Sequence, residues 1–285
     1  ALGRDTESSK QVWSAIEGYP GDFNYRDFYR DVGFDLDYEY LKPHLHKIGI
    51  RSLLGIKYYR ITGRGADLGA KTYYVPEWAD ETREAQAAQF VFERGAQATW
   101  FQEKHGGRKP CVVSAYDAEL FGHWWFEGVA FLGAVFRELA RRDGPVRAET
   151  AAEAVREAGA DAAEVEPGAG SWGRGGDFRV WDDAETKPFW RSVEEAEAQL
   201  RRIEAHDPGL LPTALRQALL LQASDWPFLV DGGTARDYAE RRIEEHAGAL
   251  RALAELAGSR RSRGDALLLA RLARLDRAFR PELGS

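Results

Sequence analysis

The sequence predicts an α/β layer or barrel followed by a helical bundle. Three observations carry that expectation. Apolar, strand-like runs alternate with helix-period segments between about residues 49 and 142. After about residue 190 the composition turns to Ala, Leu, Glu and Arg in four successive helix-length stretches. The 285 residues suffice for roughly two domains of about 150 residues, or one large barrel-type domain, each able to bury a full core.

The first 40 or so residues read as irregular structure with one short helix. Thr6-Glu7-Ser8-Ser9 looks like a helix start, and Tyr19-Pro20-Gly21-Asp22 is a turn by its Pro-Gly pair. No long element is expected between Phe23 and Tyr40. The run from Gly49 to Thr62 is rich in β-branched and aromatic residues and predicts one or two strands, followed by a glycine-rich loop from Gly63 to Gly69. Pro76 opens a long helix, since proline is tolerated in a first turn and Glu77, Asp80 and Glu81 suit the positive end of the helix dipole. Ala87, Phe90, Val91, Ala98 and Phe101 mark its buried face, and Gly106-Gly107 ends it.

Pro110 to Ala115 is a short continuous apolar run and predicts a strand covered on both faces. A second helix is expected from about Phe126 to Arg142, stopping at Gly144. The Ala/Glu-rich segment 147–167 reads as a helix on the exterior of the barrel. Segments 192–206, 212–223, 234–257 and 262–278 form the helical part, with Thr234-Ala235-Arg236-Asp237 resembling a capping box.

Charge and composition exclude several functions. With 39 Lys+Arg against 46 Asp+Glu, the net charge of −7 argues against nucleic acid or an anionic membrane as the main partner. There is no apolar run of about 20 residues for a membrane span and no signal-peptide pattern. One cysteine, Cys111, rules out an intrachain disulfide framework and makes a reducing, cytoplasmic compartment the default. The chain has no methionine and begins at Ala1, so it reads as a processed product or a piece of something longer. It has nine tryptophans, several in glycine-rich or acidic segments, which suggests exposed aromatic platforms.

The richest stretch runs from Ser114 to Gly128, where an apolar strand gives way to a helix. In α/β barrels catalytic side chains gather at the C-terminal ends of strands. Asp117 and Glu119 supply two carboxylates, His123 an imidazole, and Trp124 and Trp125 two indoles. Paired carboxylic acids are the tool of glycoside hydrolysis and transfer, and aromatic faces lie flat against sugar rings. The same residues also fit a packing role, with Asp117 capping the helix, Glu119 solvated and His123-Trp124-Trp125 half-buried. A second cluster, Gly170 to Trp181, flanks Trp172 with glycines that let backbone approach a ligand closely. The alternative is a loop whose tryptophan plugs the junction between the barrel and the helical part. A third segment, Ala223 to Phe228, ends one helix, and a cap is an equal reading of it.

Together the Asp117 segment, Ser171-Trp172-Gly173 with Trp181 nine residues on, the opening Gly3-Arg4-Asp5 through Trp13 to Tyr19-Pro20-Gly21-Asp22, and Ser224-Asp225-Trp226 resemble the glycoside hydrolase family 57 type of 1,4-α-glucan branching enzyme. The resemblance covers the whole chain. It implies the C-terminal part of an incomplete (β/α)7 barrel over residues 1–170, followed by an α-helical domain over 171–285. It further implies a transferase that cuts an α-1,4 bond in a glucan, holds the piece as a covalent glycosyl-enzyme, and passes it to a 6-hydroxyl as an α-1,6 branch. By that resemblance Asp117 is the general acid/base. Arg4 and Gly21 contact glucan, Trp13, Trp172 and Trp181 line the cleft, Asp225 is a polar contact from the helical domain, and Glu119 and His123 are supporting residues. The partner is an α-glucan such as amylose or a glycogen-like polymer, with no cofactor and no metal.

Two departures accompany the resemblance. The family's nucleophilic Glu lies upstream of anything in residues 1–285, so the isolated chain is expected not to turn over glucan. Arg174 stands where the family usually has Glu. An α-amylase or 4-α-glucanotransferase of the same family is the alternative enzyme, and a non-catalytic glucan-binding module the alternative outside enzymes.

Overall fold

In a computed structural model, residues 2–45, 49–141, 144, 146–159, 162, 164–233, 235–259 and 262–274 are described. The chain divides into two compact units, Ala1–Val165 and Glu166–Ser285.

The first unit starts with α1 (Thr6–Trp13), whose N-terminus is capped by Asp5 Oδ1 accepting from the Ser8 N–H at 2.8 Å. Such a cap satisfies one orphan donor and contributes about 1 kcal/mol. A 3-10 turn, Tyr19–Gly21, follows. Gly21 is dictated by space, because a Cβ there would sit 2.0 Å from the Ala15 carbonyl oxygen. Two one-turn helices, α2 (Val32–Asp35) and α3 (Tyr38–Leu41), interrupt the segment expected to be irregular, and Asp31 and Asp37 cap them. The long helix α4 spans Pro76–Lys104 with Pro76 in its first turn. The Gly107 N–H reaches back to the Gln102 carbonyl at 2.8 Å, in the left-handed conformation that ends the helix. Ala87, Phe90, Val91 and Ala98 are buried as the periodicity predicts, while Phe101 is half-buried and stacks on His105.

Helix α5 (Gly128–Arg141) packs against α4. Phe131 is at the centre of this core, with ring centroids of Trp125, Tyr19 and Phe90 at 4.9, 5.4 and 6.1 Å. Helix α6 (Ala151–Ala158) carries a capping box between Thr150 and Glu153.

Among the described residues no strand forms, which corrects the expectation for residues 49–62 and 110–115. The reason lies in where the backbone bonds go. The Leu54 and Gly55 N–H groups are taken by the buried Asp31 carboxylate at 2.9 and 3.0 Å, and Gly55 turns the chain at φ 76°. Residues 58–61 exchange single bonds with two irregular segments, around Tyr25–Asp27 and Thr72–Tyr74, and do not build a ladder. Val113 makes one parallel bridge to Arg4, and its carbonyl accepts from the Asp5 N–H at 2.9 Å.

The second unit is helical: α7 (Lys187–His206), α8 (Leu211–Leu221), α9 (Asp225–Gly232), α10 (Arg236–Leu256) and α11 (Arg263–Arg274). Helix α10 packs against α7, α8 and α9. Its Leu250 and Leu253 are fully buried with Ile203 and Leu221, each such side chain contributing about 1.5–3 kcal/mol. Within that core His246 Nδ1 and Gln217 Oε1 meet at 2.7 Å. Helix α9 was not expected, since the segment Ala223 to Phe228 reads as the end of one helix or a cap; Pro227 occupies its first turn, where no N–H is required. The capping box proposed at Thr234 lies outside the described residues, as do residues 275–278 of the last segment and Arg142 at the end of the second helix.

Candidate active site

Asp117 ends the 110–117 segment and precedes a 3-10 turn, Ala118–Leu120. Its side chain makes no cap bond to that turn, which removes the capping alternative. Instead Asp117 Oδ2 accepts from the Trp13 indole N–H at 3.0 Å. Trp13 is the last residue of α1, and the path that brings it there starts at the helix's first turn. Beside the Asp5–Val113 backbone bond, Ser114 Oγ donates to Ser8 Oγ at 2.9 Å and the Tyr116 hydroxyl to the Ser8 carbonyl at 3.0 Å. Three bonds therefore seat the N-terminal half of α1 along residues 113–116.

Helix α4 holds the same end from the other side. Gln97 Nε2 donates to Asp5 Oδ2 at 2.8 Å, and the buried Arg94 guanidinium lies 3.8 Å from Asp5 and 3.3 Å from Glu7. Burial alone would push the Asp5 carboxyl up, but the Ser8 and Gln97 bonds and the Arg94 charge together hold it below the ordinary range. The sequence carried a signal for Asp5, an acceptor immediately before Thr6-Glu7-Ser8. It carried none for Gln97 or Arg94, which act across some 90 positions.

The rest of the 114–128 stretch divides sharply by burial. Trp125 is a core residue, 5.5 Å from the Tyr25 ring. Trp124 and His123 are exposed, and both pack on Phe28, at 4.6 and 5.6 Å between centroids. Lys57 Nζ lies 5.1 Å over the Phe28 ring. Phe28 is a further member of this aromatic surface that the local sequence did not mark. Glu119 is exposed, and its carbonyl accepts the His123 N–H at 3.2 Å. Glu127 is buried and accepts from the Arg26 N–H at 3.1 Å. Burial pushes its carboxyl up, against the pull of the Arg26 N–H, the Tyr74 hydroxyl and the Arg26 charge. Arg4 is exposed beside its bridge to Val113, and Gly21 is confined under Ala15. Among the described residues no group of three or more His, Cys, Asp or Glu is arranged to hold a metal ion.

The second unit carries its own aromatic surface. Trp172 is 57% exposed. Trp181 is half-buried, donates its indole N–H to the Ser224 carbonyl at 3.1 Å, and has Phe228 at 6.3 Å. A Cβ at Gly173 would lie 2.6 Å from Trp181 Cζ3, so the close approach this glycine permits is that of a tryptophan ring. Arg174 pairs with Asp231 at 2.7 Å and joins the glycine-rich loop to α9. Asp225 is exposed in the first turn of α9, while Trp226 is buried and donates to the Leu220 carbonyl at 2.8 Å. Each unit thus presents part of the expected set: Arg4, Trp13, Gly21, Asp117, Glu119 and His123 in the first, and Trp172, Trp181 and Asp225 in the second.

Residues 191–283 match the family profile of the 1,4-alpha-glucan branching enzyme C-terminal domain. The chain is 36% identical over 289 residues to a 1,4-alpha-glucan branching enzyme of Thermococcus kodakarensis, covering 98% of this chain and 40% of that protein. The chain is homologous to branching enzymes of glycoside hydrolase family 57. The crystal structure of the Thermococcus enzyme, in complex with glucose, superposes with a TM-score of 0.74 at 34% identity, over 98% of this chain and 48% of that one. The GH57-type branching enzyme of Pyrococcus horikoshii gives 0.72 at 34% identity, over 95% and 48%. An alpha-amylase of Thermotoga maritima gives 0.69 at 35%, over 95% and 51%. The chain spans about half or less of the length of these relatives.

Proposed function

We propose that this chain is part of an α-glucan branching enzyme that works by retaining double displacement, with Asp117 as general acid/base. The observation that carries the reading is the identity to the Thermococcus branching enzyme across 98% of this chain. The held position of Asp117, bonded by Trp13, supports it.

In the first step the Asp117 carboxyl gives its proton to the glycosidic oxygen as the C1–O bond breaks and an enzyme carboxylate bonds to C1. In the second, the Asp117 carboxylate takes the proton of an acceptor 6-hydroxyl while its oxygen attacks C1 and expels the enzyme carboxylate. Retention calls for two carboxyl groups about 5–5.5 Å apart. The second carboxylate, by family resemblance, belongs to a segment outside residues 1–285. Trp172 and Trp181 offer indole faces to sugar rings, and Arg4 and Asp225 polar contacts. In this reading residues 1–170 form part of a (β/α)7 barrel, a reading supported by the isolated parallel bridge between Arg4 and Val113, and 171–285 the helical domain. It places the enzyme in the cytoplasm, making glycogen-type polymer.

The test incubates amylose with the 285-residue chain and with the longest form its coding sequence encodes, and reads new α-1,6 linkages. Branching by the longer form supports the proposal, and products with α-1,4 linkages alone favour the second reading. That reading, an α-amylase, rests on the likeness to the Thermotoga enzyme at 35% identity.

A further inference from the structure

The hydrogen bond between Trp13 and Asp117 links two residues 104 positions apart through a donor that cannot be exchanged for an acceptor. An indole N–H only donates, so the oxygen it faces must offer a lone pair in both protonation states of the carboxyl. With Oδ2 accepting at 3.0 Å, and the carbonyl oxygen the stronger acceptor of a neutral carboxyl, the proton of the neutral acid is favoured on Oδ1, and loss of that proton leaves the Trp13 bond in place and strengthens it.

The donor is itself held. Trp13 terminates a helix of eight residues whose first turn is bonded to Val113, Ser114 and Tyr116, the residues leading directly into Asp117. Gln97 and Arg94 of α4 brace Asp5 at the same end. Donor and acceptor thus ride on one bonded assembly. Meanwhile the Trp13 side chain is 51% exposed, with its indole N–H committed to the acid.

We propose that Trp13 is a positioning residue for Asp117: its indole N–H fixes the carboxyl rotation and confines the exchangeable proton to Oδ1, the oxygen that serves the glycosidic bond. This rests on the reading of Asp117 as acid/base.

Trp13→Phe keeps an aromatic face and removes the donor. Small losses of alignment at a reacting group cost up to about 100-fold in rate. On amylose the variant of the full-length enzyme should lose roughly 10- to 100-fold in kcat, with KM within about twofold of wild type. A second donor, α-maltosyl fluoride with azide as acceptor, separates positioning from general damage. Fluoride departs without a proton and azide attacks without a base, so neither step needs Asp117. With that pair Trp13→Phe should run within about threefold of wild type, as should Asp117→Ala. An active enzyme in which Trp13→Phe leaves kcat on amylose unchanged overturns the positioning role. So does an equal loss with both donor pairs, which assigns Trp13 to structure or binding. A wild-type enzyme that turns over neither amylose nor the fluoride overturns the acid/base reading itself, and this inference with it.

Discussion

Gly173 and Trp181 are in contact to a degree that only glycine allows: a Cβ at position 173 would fall 2.6 Å from Trp181 Cζ3 and 2.8 Å from Val180 Cγ2. Gly173→Ala should displace the Trp181 ring and break its bond to the Ser224 carbonyl. We expect a loss of about 1–3 kcal/mol, read as a lowered Tm, together with a shifted tryptophan emission. Gly168→Ala, where nothing lies within 4 Å, should leave both unchanged.

Asp31 is the organising acceptor of the Val32–Gly55 region. Its carboxylate takes the N–H groups of Gly33, Leu54 and Gly55 at 2.9, 2.9 and 3.0 Å, with Lys57 Nζ 3.8 Å away. Asp31→Ala strands those donors and should cost about 3 kcal/mol in denaturant titration.

The same carboxyl sets an acid limit. Burial would raise its pKa, but the three N–H bonds and the Lys57 charge hold it below the ordinary range. A folded-state pKa below the unfolded one gives stability that is present above the unfolded value, about 3.9, and is lost as pH falls through the folded value. Between pH 4 and pH 2, wild type should therefore lose stability more steeply than Asp31→Asn.

Glu127 has the opposite sign. Its folded pKa is raised by burial, so its contribution is fully present below the unfolded value, about 4.3, and is lost as pH rises through the folded one. Glu127→Gln keeps an acceptor for the Arg26 N–H and removes that loss. Its unfolding free energy relative to wild type should rise between pH 4 and pH 8, and a constant difference across that range would contradict the assignment.

Asp117→Asn retains an acceptor for Trp13 and cannot transfer a proton. In the full-length enzyme it should reduce branching of amylose by about 100- to 10,000-fold with the Tm within about 2 °C of wild type. A rate near wild type would remove Asp117 from the chemistry.

Periodicity and local chemistry were enough to predict α4, α5 and α6 and most of the helical second unit, because an amphipathic helix with its caps satisfies its own backbone. Asp117 stood out for a similar reason, since its segment concentrates groups that packing alone does not require. Strands are different, because a run such as Gly49–Thr62 becomes one only if another segment supplies the ladder. Here Asp31 takes two of its N–H groups and Gly55 turns the chain. The segment Ala223 to Phe228, which reads as a helix end or a cap, instead opens α9, because Pro227 falls in a first turn where no N–H is required. Nor does spacing say that Trp125 is core while Trp124 is surface, or that Gly173 makes room for Trp181. The sequence by itself marked Asp117 and Glu119 as candidate carboxylates and placed the longer amphipathic helices. Only the tertiary structure decided that the last residue of α1 meets Asp117, because that contact spans 104 residues and depends on α1 being bonded to the 113–116 segment on one side and to α4 on the other.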